Sequence, residues 1–451
     1  MRIPDGFSLG VSTSAWQIEG AVASRGRCIW DDFAEQPGTI VDGSTGEPAC
    51  DHIARLDEDL DMLAWLGVDT YSFTIAWTRV LPDGTGGVSA EGLGFYDRLV
   101  DGLLARGIAP TATLFHWDGP ASMSWADRAT AEAFGEYAAV VAERLSDRVT
   151  RWATMNEPWC QAFLGYAMGI HAPGLQDALT SLAAAHHLLV AHARGVEALR
   201  SAGARDVGTV LNLMPVIPEH AEATATAHHI DGIQNRLFLS PLAGRGIPED
   251  VIEHTAHLTD WSFVQPGDLE AIAAPIDWLG VNYYTPMRVR IADGDADQAI
   301  GQDVSGFPGA DRLADGPVVF APRDPRTSMG WEISPDHLAE TLAMTAEWLP
   351  DVAFFVNENG AAFEDAPDAD GIVDDESRVA YLRDHLRATL SAREAGVDVR
   401  GYFVWSFLDN LEWAEGRTKR FGVIRVDPTT LDRIPKASAE WLREVCTTRV
   451  V

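Results

Sequence analysis

Phe354-Phe355-Val356-Asn357-Glu358-Asn359-Gly360 closes an almost wholly apolar run that begins at Val352. A short continuous run rich in Val and Phe has the pattern of a strand buried on both faces, as in a parallel sheet. It stops at Asn-Glu-Asn-Gly, a turn composition. One carboxylate is thereby set just past the end of a buried strand, ahead of a Gly that lets the backbone turn. In a parallel α/β barrel that end of the strand is where chemistry is done. Taken alone, the segment reads more readily as a strand followed by a solvated acidic turn. Val149-Thr150-Arg151-Trp152-Ala153-Thr154-Met155-Asn156-Glu157-Pro158 repeats the design, with a strand-like run ending in Asn-Glu-Pro. Two carboxylates at the ends of two strands make the solvated-turn reading the weaker one.

Working outward, strand-like and helix-like segments alternate along all 451 residues, the signature of βα units and a parallel sheet. Eight strands are predicted, over 7–15, 70–77, 109–117, 149–155, 207–213, 276–283, 352–356 and 399–407. Between them, apolar residues recur at helical spacing: Ile53, Leu56, Leu60, Leu63 and Trp65 in one connector, Leu93, Tyr96, Val100 and Leu103 in the next, Phe134, Tyr137, Val141 and Leu145 in a third. Such stripes are the packing faces of amphipathic helices. Residues 285–329 read as a long loop after the sixth strand, and residues 364–375 as an acidic loop after the Glu358 strand. No stretch has the composition of an interdomain linker, so the expectation is a single (β/α)8 TIM barrel over 1–451.

Composition narrows the function classes. With 34 basic against 67 acidic residues the formal charge is −33, which argues against nucleic acid and anionic membranes as partners. Lys419 and Lys436 are the only lysines, a bias that fits either adaptation to salt or a GC-rich genome. Cys28, Cys50, Cys160 and Cys446 are scattered without a C-x-x-C, so neither a zinc site nor a disulfide framework is indicated. The start, Met-Arg-Ile-Pro-Asp-Gly-Phe, lacks a charged-then-apolar signal, and no apolar run approaches the ~20 residues of a bilayer span. A cytoplasmic protein is the default expectation.

The polar residues at the strand ends point to the ligand. Gln17 and Glu19 follow strand one, His116 and Trp117 close strand three, and Asn156 and Glu157 end strand four. Asn282 and Tyr284 end strand six, and Trp405 on strand eight is followed by Asp409-Asn410-Leu411-Glu412-Trp413. Any one has a dull explanation: a lone His116 is a satisfied interior histidine, a lone Trp405 is core. As a set they suit a sugar, whose hydroxyls pair with amides and carboxylates and whose C–H faces stack on indoles.

With those residues quoted, the chain resembles glycoside hydrolase family 1, the β-glucosidase and β-galactosidase family. The likeness runs from Ser12-Thr13-Ser14-Ala15-Trp16-Gln17-Ile18-Glu19-Gly20-Ala21 to Pro435-Lys436-Ala437-Ser438. Its most specific pieces are Thr154-Met155-Asn156-Glu157-Pro158, Glu358-Asn359-Gly360 and the segment 405–422. The resemblance implies a (β/α)8 barrel and a retaining β-glycosidase, most simply a β-glucosidase acting on a small β-glycoside. It implies Glu157 as general acid/base and Glu358 as nucleophile, at the ~5–5.5 Å spacing of retention, against ~6.5–9.5 Å for inversion. By the same likeness Gln17, His116, Asn156, Glu412 and Trp413 hold the sugar hydroxyls over Trp405, and Asn282 and Tyr284 bond around Glu358. Trp159 and Trp331 are implied as aromatic lips on the aglycone side. No metal or organic cofactor is implied.

The chain departs from the family pattern at three places. Tyr71-Ser72-Phe73-Thr74-Ile75-Ala76-Trp77 stands where the family usually has Tyr-Arg-Phe-Ser-Ile-Ser-Trp, so the cationic neighbour of the nucleophile is missing. Asn357 replaces a Thr before Glu358, and Arg417 stands where an aromatic is common. Two other readings follow. A 6-phospho-β-glycosidase would be expected to replace the Glu412-Trp413 pair and to carry a Ser-Lys-Tyr clasp, and Glu412 would repel a phosphate. A weakly active or non-catalytic sugar binder is motivated by Ser72, but a pure binder has no need of both Glu157 and Glu358.

Overall fold

Each predicted strand forms. The computed structural model describes residues 1–291, 307–310, 313 and 318–451. The barrel strands are β1 (Ser8–Ser12), β2 (Thr70–Thr74), β3 (Ala109–Thr113), β4 (Arg151–Asn156), β5 (Asp206–Asn212), β6 (Trp278–Asn282), β7 (Ala353–Asn359) and β8 (Val399–Trp405). All pair in parallel in the order β1-β8-β7-β6-β5-β4-β3-β2, and β1 pairs β2 to close the ring. Helices Leu56–Leu66, Ala90–Ala105, Ala129–Leu145, Ala178–Ser201, Pro335–Trp348 and Glu376–Glu394 connect them. The predicted stripes supply their inner faces: Leu60, Leu63, Tyr96, Leu103, Phe134 and Tyr137 are all buried against the barrel. Fully burying one such Leu or Phe contributes ~1.5–3 kcal/mol. Among the described residues no helix is long and apolar enough to cross a membrane.

Alternation along the strands decides what fills the lumen. Ala153, Val210, Trp278, Ala353, Phe355 and Phe403 form an inner apolar cluster, and the Arg151 guanidinium lies 3.9 Å from the Phe355 ring centre. A Cβ on Gly208 or Gly401 would come within 2.7 Å of the Trp278 or Phe355 ring, so those strands stay bare to admit large neighbours. The barrel is thus plugged beneath, and polar side chains collect at the C-terminal ends of the strands.

The structure corrects several boundaries. β1 stops at Ser12, and Gln17 rides on a separate helical turn, Ala15–Ile18. β3 stops at Thr113, so His116 and Trp117 belong to the loop beyond it. β7 runs past Val356 to Asn359 because its register with β6 shifts between Val356 and Glu358, a bulge that re-aims the following side chain. Gly360 owes its identity to packing: a Cβ there would fall 1.6 Å from the Trp405 carbonyl oxygen. Among the described residues the expected loop 285–329 contains two strands, Met287–Ile291 and Val318–Phe320, which pair with each other, and the first also pairs with Val216–Pro218. Its residues 292–306, 311–312 and 314–317 lie outside the described residues.

Candidate active site

Three strands place the central groups. Glu157 follows β4, Glu358 sits near the end of β7, and Asn282 ends β6 between them in the ring. Both carboxyls are nearly enclosed, with 5% and 4% of their residue surface exposed. Asn282 Nδ2 donates to Glu157 Oε1 at 2.7 Å and to Asn156 Oδ1 at 3.0 Å, and Asn282 also favours the ionised form of Glu358. The Tyr284 hydroxyl donates to Glu358 Oε2 at 2.7 Å. One amide therefore serves two carboxyls that the chain separates by two hundred residues.

Burial pushes both carboxyls above their usual range. For Glu157 the opposing influences are donors: Cys160 and then Asn282. For Glu358, repulsion by Glu157 adds to burial, Tyr284 and Asn282 oppose it, and Glu412 raises it again. Among the described residues no guanidinium figures in the groups acting most on Glu358. Arg79 is taken up by Glu19, and Arg25 by Asp31. Ser72 is buried in the lumen wall, in register with Ser12 and Thr111. Ionisation of Glu157 therefore counts against ionisation of Glu358.

Around this pair lies an aromatic and amide shell. Asn156 Nδ2 donates to His116 Nε2 at 3.1 Å, and burial drops the imidazole to about 3, so it is neutral with its proton on Nδ1 facing Thr74. His116 lies between two indoles, each inclined by 27°: Trp405 at 5.8 Å and Trp413 at 5.6 Å. Trp413 also stacks on Trp16 at 5.7 Å. Trp331 is half-buried, 5.3 Å from Tyr284, and packs against the cluster that contains Trp405. Glu412 Oε2 is enclosed without a partner among the described residues, and burial, followed by repulsion from Glu157 and Glu415, raises that carboxyl to about 8. A buried acceptor left unpaired by its own protein points to a polar ligand.

The sequence-predicted residues thus converge, with qualifications. Gln17 has both amide hydrogens engaged, on Asn410 Oδ1 at 3.1 Å and the Leu411 carbonyl at 2.6 Å. It braces the Glu412 loop, and its carbonyl already accepts from the Ser14 hydroxyl at 2.5 Å, which leaves one lone pair for a sugar. Glu19 is a bracket, bonded to Arg79 and the Tyr96 hydroxyl. Trp159 is buried against Phe163 and Phe307, deeper than a lip. Sequence reasoning passed over Cys160, whose Sγ donates to Glu157 Oε2 at 3.0 Å; its place three residues after Glu157, at the start of a helical segment, was the available signal. Backbone strain marks the same region: Trp117, Glu157 and Trp413 have φ of 69°, 47° and 50°, each costing about 1–3 kcal/mol that the surroundings must offset. Among the described residues no group of three or more His, Cys, Asp or Glu is placed to hold a metal ion.

A barrel with two enclosed carboxyls, an amide between them and indoles around them has the makings of a sugar-processing site, and comparison with known proteins gives it a class. The family model for glycosyl hydrolase family 1 matches residues 1–450. A thermostable β-glucosidase B from Thermobispora bispora is 44% identical over 451 residues, covering 99% of this chain and 90% of that protein. A bifunctional β-D-glucosidase/β-D-fucosidase from Bifidobacterium breve is 42% identical, covering 98% of each. The structure of a β-glucosidase from Thermotoga maritima in complex with glucoimidazole superposes with a TM-score of 0.90 at 39% identity, over the whole of both chains. The chain belongs to glycosyl hydrolase family 1.

Proposed function

We propose that the protein is a retaining β-glucosidase, with Glu358 as nucleophile and Glu157 as acid/base, working as one (β/α)8 unit. The observation that carries the reading is the pair of enclosed carboxyls bridged by Asn282, an arrangement suited to the short spacing of retention. Glu358 attacks the anomeric carbon as the glycosidic C–O bond breaks, and Glu157 passes its proton to the departing oxygen. Glu157 then takes a proton from the water that attacks the same carbon and frees Glu358. Two inversions give net retention.

The mechanism requires Glu157 to carry the proton and Glu358 to be ionised. A phenol at 2.7 Å is a stronger stabiliser of a carboxylate than a thiol, and the phenol faces Glu358 while the thiol faces Glu157. Glu412, unpaired and able to hold its own proton, both accepts from and donates to glycone hydroxyls, with Gln17, His116, Asn156 and Trp413 beside it. Trp405 is the floor, and Trp331 the wall of the aglycone side. The four cysteines are unpaired, which suits a reducing cytoplasm.

A panel of nitrophenyl β-glycosides tests the reading, including the glucoside, the D-fucoside and the 6-phosphoglucoside. The unphosphorylated glucoside should be preferred to its 6-phosphate on the order of 10²-fold, since Glu412 offers the phosphate no positive charge and repels it once ionised. Proton NMR should show the β-anomer as the first sugar released. A preference for the 6-phosphate, or an α-anomer, would overturn the substrate or the mechanism respectively.

Ser72 supplies a further test. With no cation among the described residues that act most on Glu358, it ionises late, so the acidic limb of kcat/KM should lie high. Ser72→Arg should favour the carboxylate and move that limb down by about 1–3 pH units, with faster turnover of aryl β-glucosides in mild acid. Superimposable acidic limbs would show that Ser72 has no part in the nucleophile's electrostatics.

A further inference from the structure

Glu157 is held on both oxygens, and one of its two holders is a thiol. Asn282 reaches Oε1; Cys160 Sγ reaches Oε2 at 3.0 Å. The local chain makes this contact natural, because the Cys160 amide donates to the Glu157 carbonyl at 3.0 Å and closes a turn with the two side chains on one side. The sulfur has a second partner. Asn212, at the end of β5 and in register with Asn282, donates its Nδ2 to Sγ at 3.5 Å. With a donor already on the sulfur, the single S–H is left to point at the carboxyl.

We infer that Cys160 is a positioning residue for the acid/base: its thiol, oriented by Asn212, donates to Glu157 Oε2 and fixes the orientation of that carboxyl. The inference rests on Glu157 being the acid/base. A thiol is a weak donor and also a weak acceptor, so it can follow Glu157 through both protonation states of one turnover. The titratable groups that face Glu157 are Glu358 from β7, Glu412 from the loop after β8, Tyr284 after β6 and the thiol itself; His116, reached through Asn156, is neutral. The neighbouring carboxyls favour the protonated acid. Cys160 and Asn282 are the groups that favour its ionisation.

The test is the basic limb of kcat/KM for phenyl β-glucoside, a poor leaving group whose departure needs the proton. A donor that favours the carboxylate lowers the pH at which the acid is lost. Cys160→Ala should therefore move the basic limb up by about 0.5–1 pH unit, and Cys160→Ser, which keeps a donor, should bring it back toward wild type. Asn212→Ala, which frees the thiol to turn away without emptying the space beside Glu157, should move it up as well. A uniform fall in kcat/KM with unmoved limbs, or equal shifts in Cys160→Ala and Cys160→Ser, would mean packing alone and overturn the inference. Failure of the underlying assignment looks different: Glu157→Ala would then hydrolyse phenyl and dinitrophenyl glucosides in the wild-type ratio.

Discussion

Glu358→Ala should lose hydrolysis of every β-glucoside, good leaving group or bad, on the order of 10⁵-fold or more, as expected when the nucleophile of a covalent mechanism is removed. Glu157→Ala should behave differently. Loss of the acid costs about 10²–10⁴-fold where the leaving group needs a proton, and little in the first step where it does not. Azide separates the roles further. In Glu157→Ala it can attack the glycosyl-enzyme and give a β-glycosyl azide. In Glu358→Ala it occupies the nucleophile's place and gives the α-configured product. The prediction has a structural basis in the two sets of donors, Tyr284 on one carboxyl and Cys160 on the other, with Asn282 between. Near-normal turnover by Glu358→Ala would sink the assignment of both residues.

Much of this was legible in the chain because burial on both faces writes itself as continuous apolar runs, and barrel strands are buried on both faces. All eight runs became strands, and the two carboxyls stand where those runs stop. What could not be read was where pairing ends. β7 continues through a bulge that depends on its neighbours' register, and β1 and β3 stop early because helical turns and loops take over the chain. The apolar pattern of residues 70–77 does not distinguish β2 from the helical turn Trp77–Val80 that follows it. The two strands inside 285–329 are short and peripheral, so they carry no such signature. Side-chain roles were harder still. Gln17 and Glu19 are two residues apart and equally polar, yet one braces the Glu412 loop and the other closes an ion pair with Arg79. Only the partner, remote in sequence, tells them apart.

Lys436 is the most consequential residue that its sequence position left mute. Its ammonium is wholly enclosed and bonds Asp365 Oδ2 and Asp409 Oδ1, each at 2.8 Å. Arg378 contacts Asp365 and Asp375, and Arg420 Nε reaches Asp365 at 2.7 Å, so three cations face three carboxylates. Burial alone would raise Asp365, but Arg378 and Lys436 outweigh it and hold that carboxyl at about 2. Asp409 is different: burial raises it despite Lys436. Asp409 also accepts from the Gly422 amide at 2.9 Å, which ties down the segment that three residues later presents Glu412. Lys436→Met keeps the stem and removes the charge. It should cost about 3–5 kcal/mol of stability near neutral pH, the penalty for leaving a buried partner uncompensated, and raise KM as the Glu412 loop loosens. The pH dependence has a definite sign. In the variant Asp409 has a folded pKa well above its unfolded ~3.9, so the folded state binds the extra proton. Its stability therefore rises as pH falls through that window, while Asp365, ionised down to about 2 in the wild type, contributes no opposing change there. Urea unfolding of wild type and variant should show a gap that is wide at pH 8 and narrows toward pH 5. A gap that is absent, or that widens on acidification, would mean that Lys436 does not compensate Asp409.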